Sequence, residues 1–306
     1  MPFTARDLLL GFGLPALIAW LTIALAAAMR FGERRFLAAS LGSVAGYLAG
    51  YWSLDLGPYV PQVERDWLAY APAFGAVAGL GLLLADRSKL AAAGTSLLAI
   101  AAIAWLLSPT WKSLTTPRVA RAALWAIYAA GLAGCSMATV PRRQSSRPFP
   151  TDERKSGEAA WARPWGESLW CGMAALTLGA AAGLLALSGS LRFGQIAACL
   201  GATYLGAAVA IAPGRRGWDF RAFAALYAVA IAAFMLTGQM NSFSPIPRFC
   251  YYLLPIAPAA SGAIWRAMAS SNVPSRAAVS LLAGGAVLAV ALGIAVAMQP
   301  PPDPEW

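Results

Sequence analysis

The chain has no histidine at all, only three lysines, and charged residues at 12% of its 306 positions. Without imidazole there is no His-ligated haem, no ordinary zinc site and no Ser–His or Cys–His nucleophile pair. Four cysteines (Cys135, Cys171, Cys199 and Cys250) stand in or beside apolar runs, with no C-x-x-C spacing. In such places Cys is read as a small packing residue, so neither a disulfide framework nor a thiol redox centre is expected. No cofactor and no metal ion are expected either. The scarcity of charge excludes more. A soluble domain carries about 25% charged and about 45–50% apolar residues, whereas here 59% are hydrophobic and the mean hydropathy is +0.61. Too little polar surface is left to cover a water-soluble globule, so the lipid bilayer must be the covering partner.

The net charge of +10 would point to nucleic acid in a soluble protein. Here the basic residues lie in short loops between apolar runs, where they orient the chain and meet anionic headgroups. No basic patch is interleaved with aromatics, and nucleic acid is not an expected partner. Arginine outnumbers lysine twenty to three, which we read as a GC-rich, bacterial coding bias. The expected location is therefore the bacterial inner (plasma) membrane.

A helix needs about 20 mainly apolar residues to cross the hydrocarbon core. That rule predicts an all-α polytopic bundle with spans over 8–29, 36–53, 67–85, 90–108, 122–140, 167–188, 194–212, 219–238, 249–268 and 277–298. The first is read as an uncleaved span, because its apolar run is long and Arg30, Arg34 and Arg35 follow at once. Loops after the odd-numbered spans hold 16 Lys and Arg residues, and the opposite face holds 7. The basic side should be cytoplasmic, which places both termini outside. Trp52, Trp67, Trp105, Trp111, Trp170, Trp218 and Trp265 fall near span ends, where indoles favour the headgroup region.

Residues 141–166 (PRRQSSRPFPTDERKSGEAAWARPWG) form the one long polar stretch. Proline, serine and mixed charge there predict a flexible cytoplasmic linker. It separates a first five-span half, 1–140, from a second, 167–298, and 299–306 is a Pro-rich acidic tail. Five spans per half imply inverted topology, so internal similarity is informative. Arg30-Phe31-Gly32 recurs as Arg192-Phe193-Gly194, LAASLG (37–42) as IAACLG (196–201), and DWLAYA (66–71) as DFRAFA (219–224). Arg121-Ala122-Ala123 recurs as Arg276-Ala277-Ala278. The offsets of 162, 159, 153 and 155 residues require only small loop changes and predict two inverted repeats.

Ionisable residues inside a membrane are costly and usually functional. None falls at a span centre. Asp55, Asp66, Asp86, Glu167 and Asp219 stand at span ends, where water is expected to solvate them. Gly42, Gly46 and Gly50, with Gly75/Gly79 and Gly179/Gly183, have the spacing that lets helices approach closely. Two regions of the outer face are richer in chemistry. One is 55–67, with Asp55 and Asp66. The other is 238–258, which combines Gln239, Asn241, Arg248 and Tyr251 with Pro255 and Pro258 inside a span. Proline removes a helix donor, and broken helices beside polar residues build many transporter sites. Gln195, Thr203 and Tyr204 add polarity on the seventh span. These nine polar residues are the candidate ligand contacts, and the two prolines the candidate helix break.

Three readings stay open. The first is a transporter or permease-like protein for a small neutral or amphipathic solute. The second is a non-catalytic subunit or scaffold that has a membrane protein partner. The third, a lipid-modifying enzyme using outer-face carboxylates, has no catalytic signature beyond the acids, and no catalytic residue is assigned. In length, span count and halving, the architecture resembles the drug/metabolite transporter superfamily, without a shared sequence motif. That resemblance implies cytoplasmic termini and a short outer central loop. The charge count here places the termini outside and a long basic loop inside.

Overall fold

The computed structural model describes residues 5–28, 35–62, 64–85, 127–128, 130–132, 135–136, 153–212, 221–240, 242 and 244–299. Regular structure among them is entirely helical, with no strand. We label the helices α1 (Ala5–Ala28), α2 (Arg35–Ser53), α3 (Ala71–Ala85), α4 (Glu153–Leu187), α5 (Leu191–Ile211), α6 (Arg221–Met240), α7 (Arg248–Leu253), α8 (Ala257–Ala267) and α9 (Val273–Ala297). A 3-10 turn, Glu64–Tyr70, leads into α3, and another, Leu254–Ile256, joins α7 to α8. The expected span 90–108 lies outside the described residues, as does most of 122–140.

Among the described residues, five helices are long and apolar enough to cross a membrane: α1, Trp165–Leu187 of α4, α5, Phe223–Met240 of α6, and α9. At 1.5 Å per residue, about 20 residues cover a hydrocarbon core of roughly 30 Å. The helix α2 is less apolar because much of its surface is buried against protein. Its buried positions include Ser40, Ser43, Tyr47 and Tyr51. The helix α6 is almost wholly enclosed, whereas α1 and α9 present Leu9, Leu17, Leu25, Leu282, Val290 and Val296 outward. Enclosed helices form the centre and exposed apolar ones the rim, the arrangement a bilayer solvent requires.

Helix α4 begins at Glu153, so residues 153–166, which the sequence assigns to a linker, are helical and continuous with the span. Favourable helix formers such as Glu, Arg, Lys and Ala dominate 153–163. The remaining linker residues, 141–152, lie outside the described residues.

Small residues set the packing. A methyl group on Gly46 would sit 2.7 Å from the carbonyl oxygen of Pro15, and one on Gly50 would meet the Pro15 ring. Gly42 packs in the same way on Thr22. Residue numbers rise on α2 as they fall on α1, so the two helices are antiparallel. Gly201 of α5 packs on Ala175 and Leu178 of α4, and Gly194 on Ala182, which makes that pair antiparallel as well. Gly11 and Gly206 join α1 to Cys199 and α5 respectively, with numbers rising together, so α1 and α5 run parallel. The π turn Leu9–Gly13 precedes Pro15, which lacks the N–H that would bond Gly11, and the ladder widens there, with Leu14 N–H bonded to Leu9. Gly179 and Gly183 behave differently: both are exposed, and a methyl on either meets nothing within 4 Å.

Candidate functional site

The turns around Gly57, Gly189 and Ser242 gather the polar groups. Helix α2 ends in a Schellman turn, in which Leu56 N–H bonds the Tyr51 carbonyl and Asp55 N–H the Trp52 carbonyl, both at 3.1 Å. Asp55 takes the left-handed position of that turn, φ 51°, where glycine is usual. The chain then returns across the helix end, and Gln62 N–H donates to Asp66 Oδ2 at 3.2 Å. The other oxygen of Asp66, Oδ1, receives Arg192 Nη2 from the first turn of α5, at 3.4 Å. Asp66 belongs to the first half of the chain and Arg192 to the second.

Tyrosines line the space beneath this pair. Tyr47 donates its hydroxyl to the Ala69 carbonyl at 2.5 Å, and Tyr70 donates to Tyr59 at 2.6 Å. The Tyr47 and Tyr51 rings stack at 6.3 Å, and Tyr51 meets Tyr70 edge-on at 6.4 Å. A methyl group on Gly57 would strike both the Tyr51 hydroxyl and the Arg192 guanidinium, so only glycine lets the turn pass over them. Arg192 Nε is buried without a hydrogen-bond partner, while the Tyr51 hydroxyl lies against the Arg192 guanidinium. A buried orphan of this kind costs about 1–3 kcal/mol. Among the described residues the cluster thus joins the end of α2 and Asp66, ahead of α3, to the start of α5.

Two expectations need correction here. Asp66 and Glu167 were expected in water at span ends, yet Asp66 is 5% exposed and Glu167 is fully buried. The 54–62 turn and the neighbouring α5 cover Asp66. The Trp265 indole lies against Gly166, beside Glu167, at the start of the apolar part of α4 (Trp165–Leu187). Trp170 is likewise no interfacial anchor. It is buried against Tyr204 (6.4 Å) and Tyr227 (5.7 Å).

In the second predicted region, Asn241 lies outside the described residues. Gln239 is half-buried with an unbonded Oε1, and Arg248 is exposed in the first turn of α7. Tyr251 is buried and donates to Ser242 Oγ at 3.2 Å, and Gln299 donates to Ser244 Oγ at 2.9 Å. These hydroxyls fasten the 242–247 turn to the ends of α7 and α9. Around Pro255 and Pro258 one 3-10 turn, Leu254–Ile256, stands between α7 and α8. The Tyr128 hydroxyl bonds the Tyr252 carbonyl at 3.0 Å, and Tyr227 bonds that of Pro255 at 2.8 Å. Neighbouring helices thus occupy the acceptors exposed at this turn.

On α5, Thr203 bonds back to the Cys199 carbonyl at 3.0 Å, Tyr204 donates to the Phe223 carbonyl at 2.6 Å, and Gln195 is half-buried. Asp55 is exposed at its helix cap, and the structure joins Asp66 to Arg192. Arg192, Tyr47, Tyr51 and Tyr70 were not singled out from the sequence. Two signals pointed to them: Arg192 opens a repeated R-F-G triplet, and tyrosines four apart share one helix face.

No protein-family model, no curated protein and no solved structure matches this chain.

Proposed function

We propose that this is a ten-span transporter of permease type, built from two five-span halves in inverted orientation, for a small neutral or amphipathic solute. The observation that carries the reading is where α3 and α6 cross. Gly75 meets Leu226, a methyl on the glycine falling 2.7 Å from the Leu226 Cα. With the D-aromatic motif offset of 153, the counterpart of Gly75 is Ala228 and that of Leu226 is Ala73. The helices therefore cross within two residues of the point where a two-fold axis would require it.

Contacts within each half support the same relation. Gly42 packs on Thr22, and Gly201, 159 residues later, reaches Gly179, 157 residues after Thr22. Tyr47 donates to Ala69, and Tyr204 to Phe223, at offsets of 157 and 154. Helix directions agree with the span count: with α1 and α5 parallel, and each antiparallel to its neighbour α2 or α4, an α3 that crosses leaves an even number of crossings before α4, and the apolar runs 90–108 and 122–140 would supply two. Inverted halves meeting at mid-membrane are a recurrent transporter plan, and the neutral interior argues for a neutral or amphipathic solute over an ion.

The test is uptake or counterflow by the full-length protein in proteoliposomes, across a panel of small sugars, polyols, amides and amphipathic amines. Saturable flux above protein-free liposomes for any class supports the reading, and no flux for any of them rejects it. One observation favours the second reading, a subunit of a larger complex. Gly179 and Gly183 leave an exposed small-residue stripe on α4, the kind of surface on which another membrane helix packs. Specific crosslinking from Gly179→Cys to a second protein in native membranes would establish it.

A further inference from the structure

The geometry points to the Asp66–Arg192 pair as a releasable latch between the two halves, closing the solute pathway at the end of the bundle where the turns around Gly57 and Gly189 lie. This inference rests on the transporter reading and names the part of that machine that opens.

Four observations carry it. First, the pair joins opposite halves, and each residue belongs to one of the repeated motifs, Asp66 to DWLAYA and Arg192 to R-F-G. Second, the joint is built to release. It is one long contact of 3.4 Å rather than a bidentate clasp, and charge-assisted bonds are usually about 2.7–2.9 Å. The Arg192 side chain is 41% exposed, so water can receive the guanidinium as it leaves. Third, Arg192 Nε is buried without a hydrogen-bond partner beneath the Gly57 turn. A static bridge would be expected to have this donor satisfied.

Fourth, the halves are unequally closed. Helix α1 packs on α5, with Gly206 against Ala16 and Gly11 against Cys199. The repeat-equivalent contact, α4 on α2, is not made to a comparable extent among the described residues. Two inverted halves that rock about their crossing predict this inequality: one end shut while the other is released. The Asp66–Arg192 pair lies at the first turn of α5, seven residues before the Cys199 contact with α1.

Cys199 is a native reporter. It is buried seven residues along α5 from Arg192, about 10 Å deeper. The experiment uses full-length protein carrying Cys135→Ala, Cys171→Ala and Cys250→Ala, in lipid nanodiscs that expose both faces. Labelling by a small cationic methanethiosulfonate is followed by mass spectrometry. With the latch intact, labelling of Cys199 should be slow. Asp66→Asn and Arg192→Gln should each accelerate it by about 5- to 150-fold, the usual span of coupling between sites. The exchanged pair Asp66→Arg/Arg192→Asp should return it toward the slow rate. If Asp66→Asn fails to fold, Arg192→Gln and Arg192→Lys, on the more exposed partner, decide alone.

Unchanged labelling in folded variants would overturn the latch and leave the transporter reading standing. Acceleration that the exchange does not reverse would also overturn it, because general loosening needs no partner. A working latch with no flux for any solute class would instead sink the transporter reading.

Discussion

Replacing Gly206 by alanine drives a methyl group into the backbone of α1. The added carbon would fall 2.8 Å from the Ala16 carbonyl carbon and 2.9 Å from its Cα, with the carbonyl oxygen nearer still. Carbon atoms rest at about 3.5–4.0 Å, so α1 must retreat by roughly 1 Å. A gap of that size forfeits about a quarter to a half of each contact's attraction along the interface. Inserting a methyl into a packed interior costs about 1–3 kcal/mol, while alanine in place of helical glycine returns up to ~1 kcal/mol. With a backbone contact this close the cost falls in the upper part of that range, and the net expectation is a loss of about 2 kcal/mol. Gly179→Ala is the matched control, since its methyl meets nothing within 4 Å. Only the propensity gain remains, and it should be neutral or stabilising by up to ~1 kcal/mol. The assay is reversible unfolding in mixed detergent micelles with increasing dodecyl sulfate, read by tryptophan fluorescence. Equal stability of Gly206→Ala and wild type, or an equal loss in both variants, would refute this account of the packing.

Asp55→Gly relieves the left-handed backbone at the α2 cap and should raise stability by ~0.5–1 kcal/mol in the same assay; if Asp55 binds solute, flux should fall even as stability rises. Tyr47→Phe and Tyr204→Phe each remove a buried donor from a carbonyl near the next helix. Both should cost ~1 kcal/mol, and a large difference between them would count against related halves. The sequence counterparts of Arg192 and Asp66 are Arg30 and Asp219, which lie outside the described residues. The repeat predicts an unfolding coupling of ~0.5–1 kcal/mol in a double-mutant cycle of Arg30→Gln and Asp219→Asn, and zero coupling would weigh against the duplication.

What the sequence made legible follows the solvent. Apolar runs located α1, α4, α5, α6 and α9 to within a few residues at most ends, because lipid demands a near-continuous apolar surface. The start of α4 escaped, since polar helix formers at 153–163 lower hydropathy without lowering helicity. Burial at the ends of spans escaped for a related reason. Sequence shows that Asp66 and Glu167 border apolar runs, but a turn folded back over a helix end is a tertiary event. The candidate residues divided along the same line. Thr203 and Tyr204 satisfy helix carbonyls, and Tyr251 fastens a turn. Asp66 pairs with a residue of the other half, and it required an arginine 126 positions away.

The charge and the hydroxyls divide the interior between them. Within the described core, the buried side-chain groups without a partner include Ser40 and Ser43 on α2, Thr237 on α6 and Ser280 on α9. These are neutral donors and acceptors, whereas the buried carboxylates among the described residues, Asp66 and Glu167, border the apolar runs. An ion would require a compensating charge along its path, because a lone ion in low dielectric pulls strongly against its hydration. A solute that carries its own hydroxyl or amide groups needs only partners of the kind these residues offer, and its apolar remainder suits a wall rich in Ala and Leu. In the proposed latch the Asp66–Arg192 pair, which joins the two halves, has a different task from binding. Placed where Arg192 stays partly in water, it lets the guanidinium return to solvent on opening, while the buried Asp66 carboxylate keeps the Gln62 N–H as a partner. That position is what separates a latch from a buried structural salt bridge, whose rupture would strand both charges in a low dielectric.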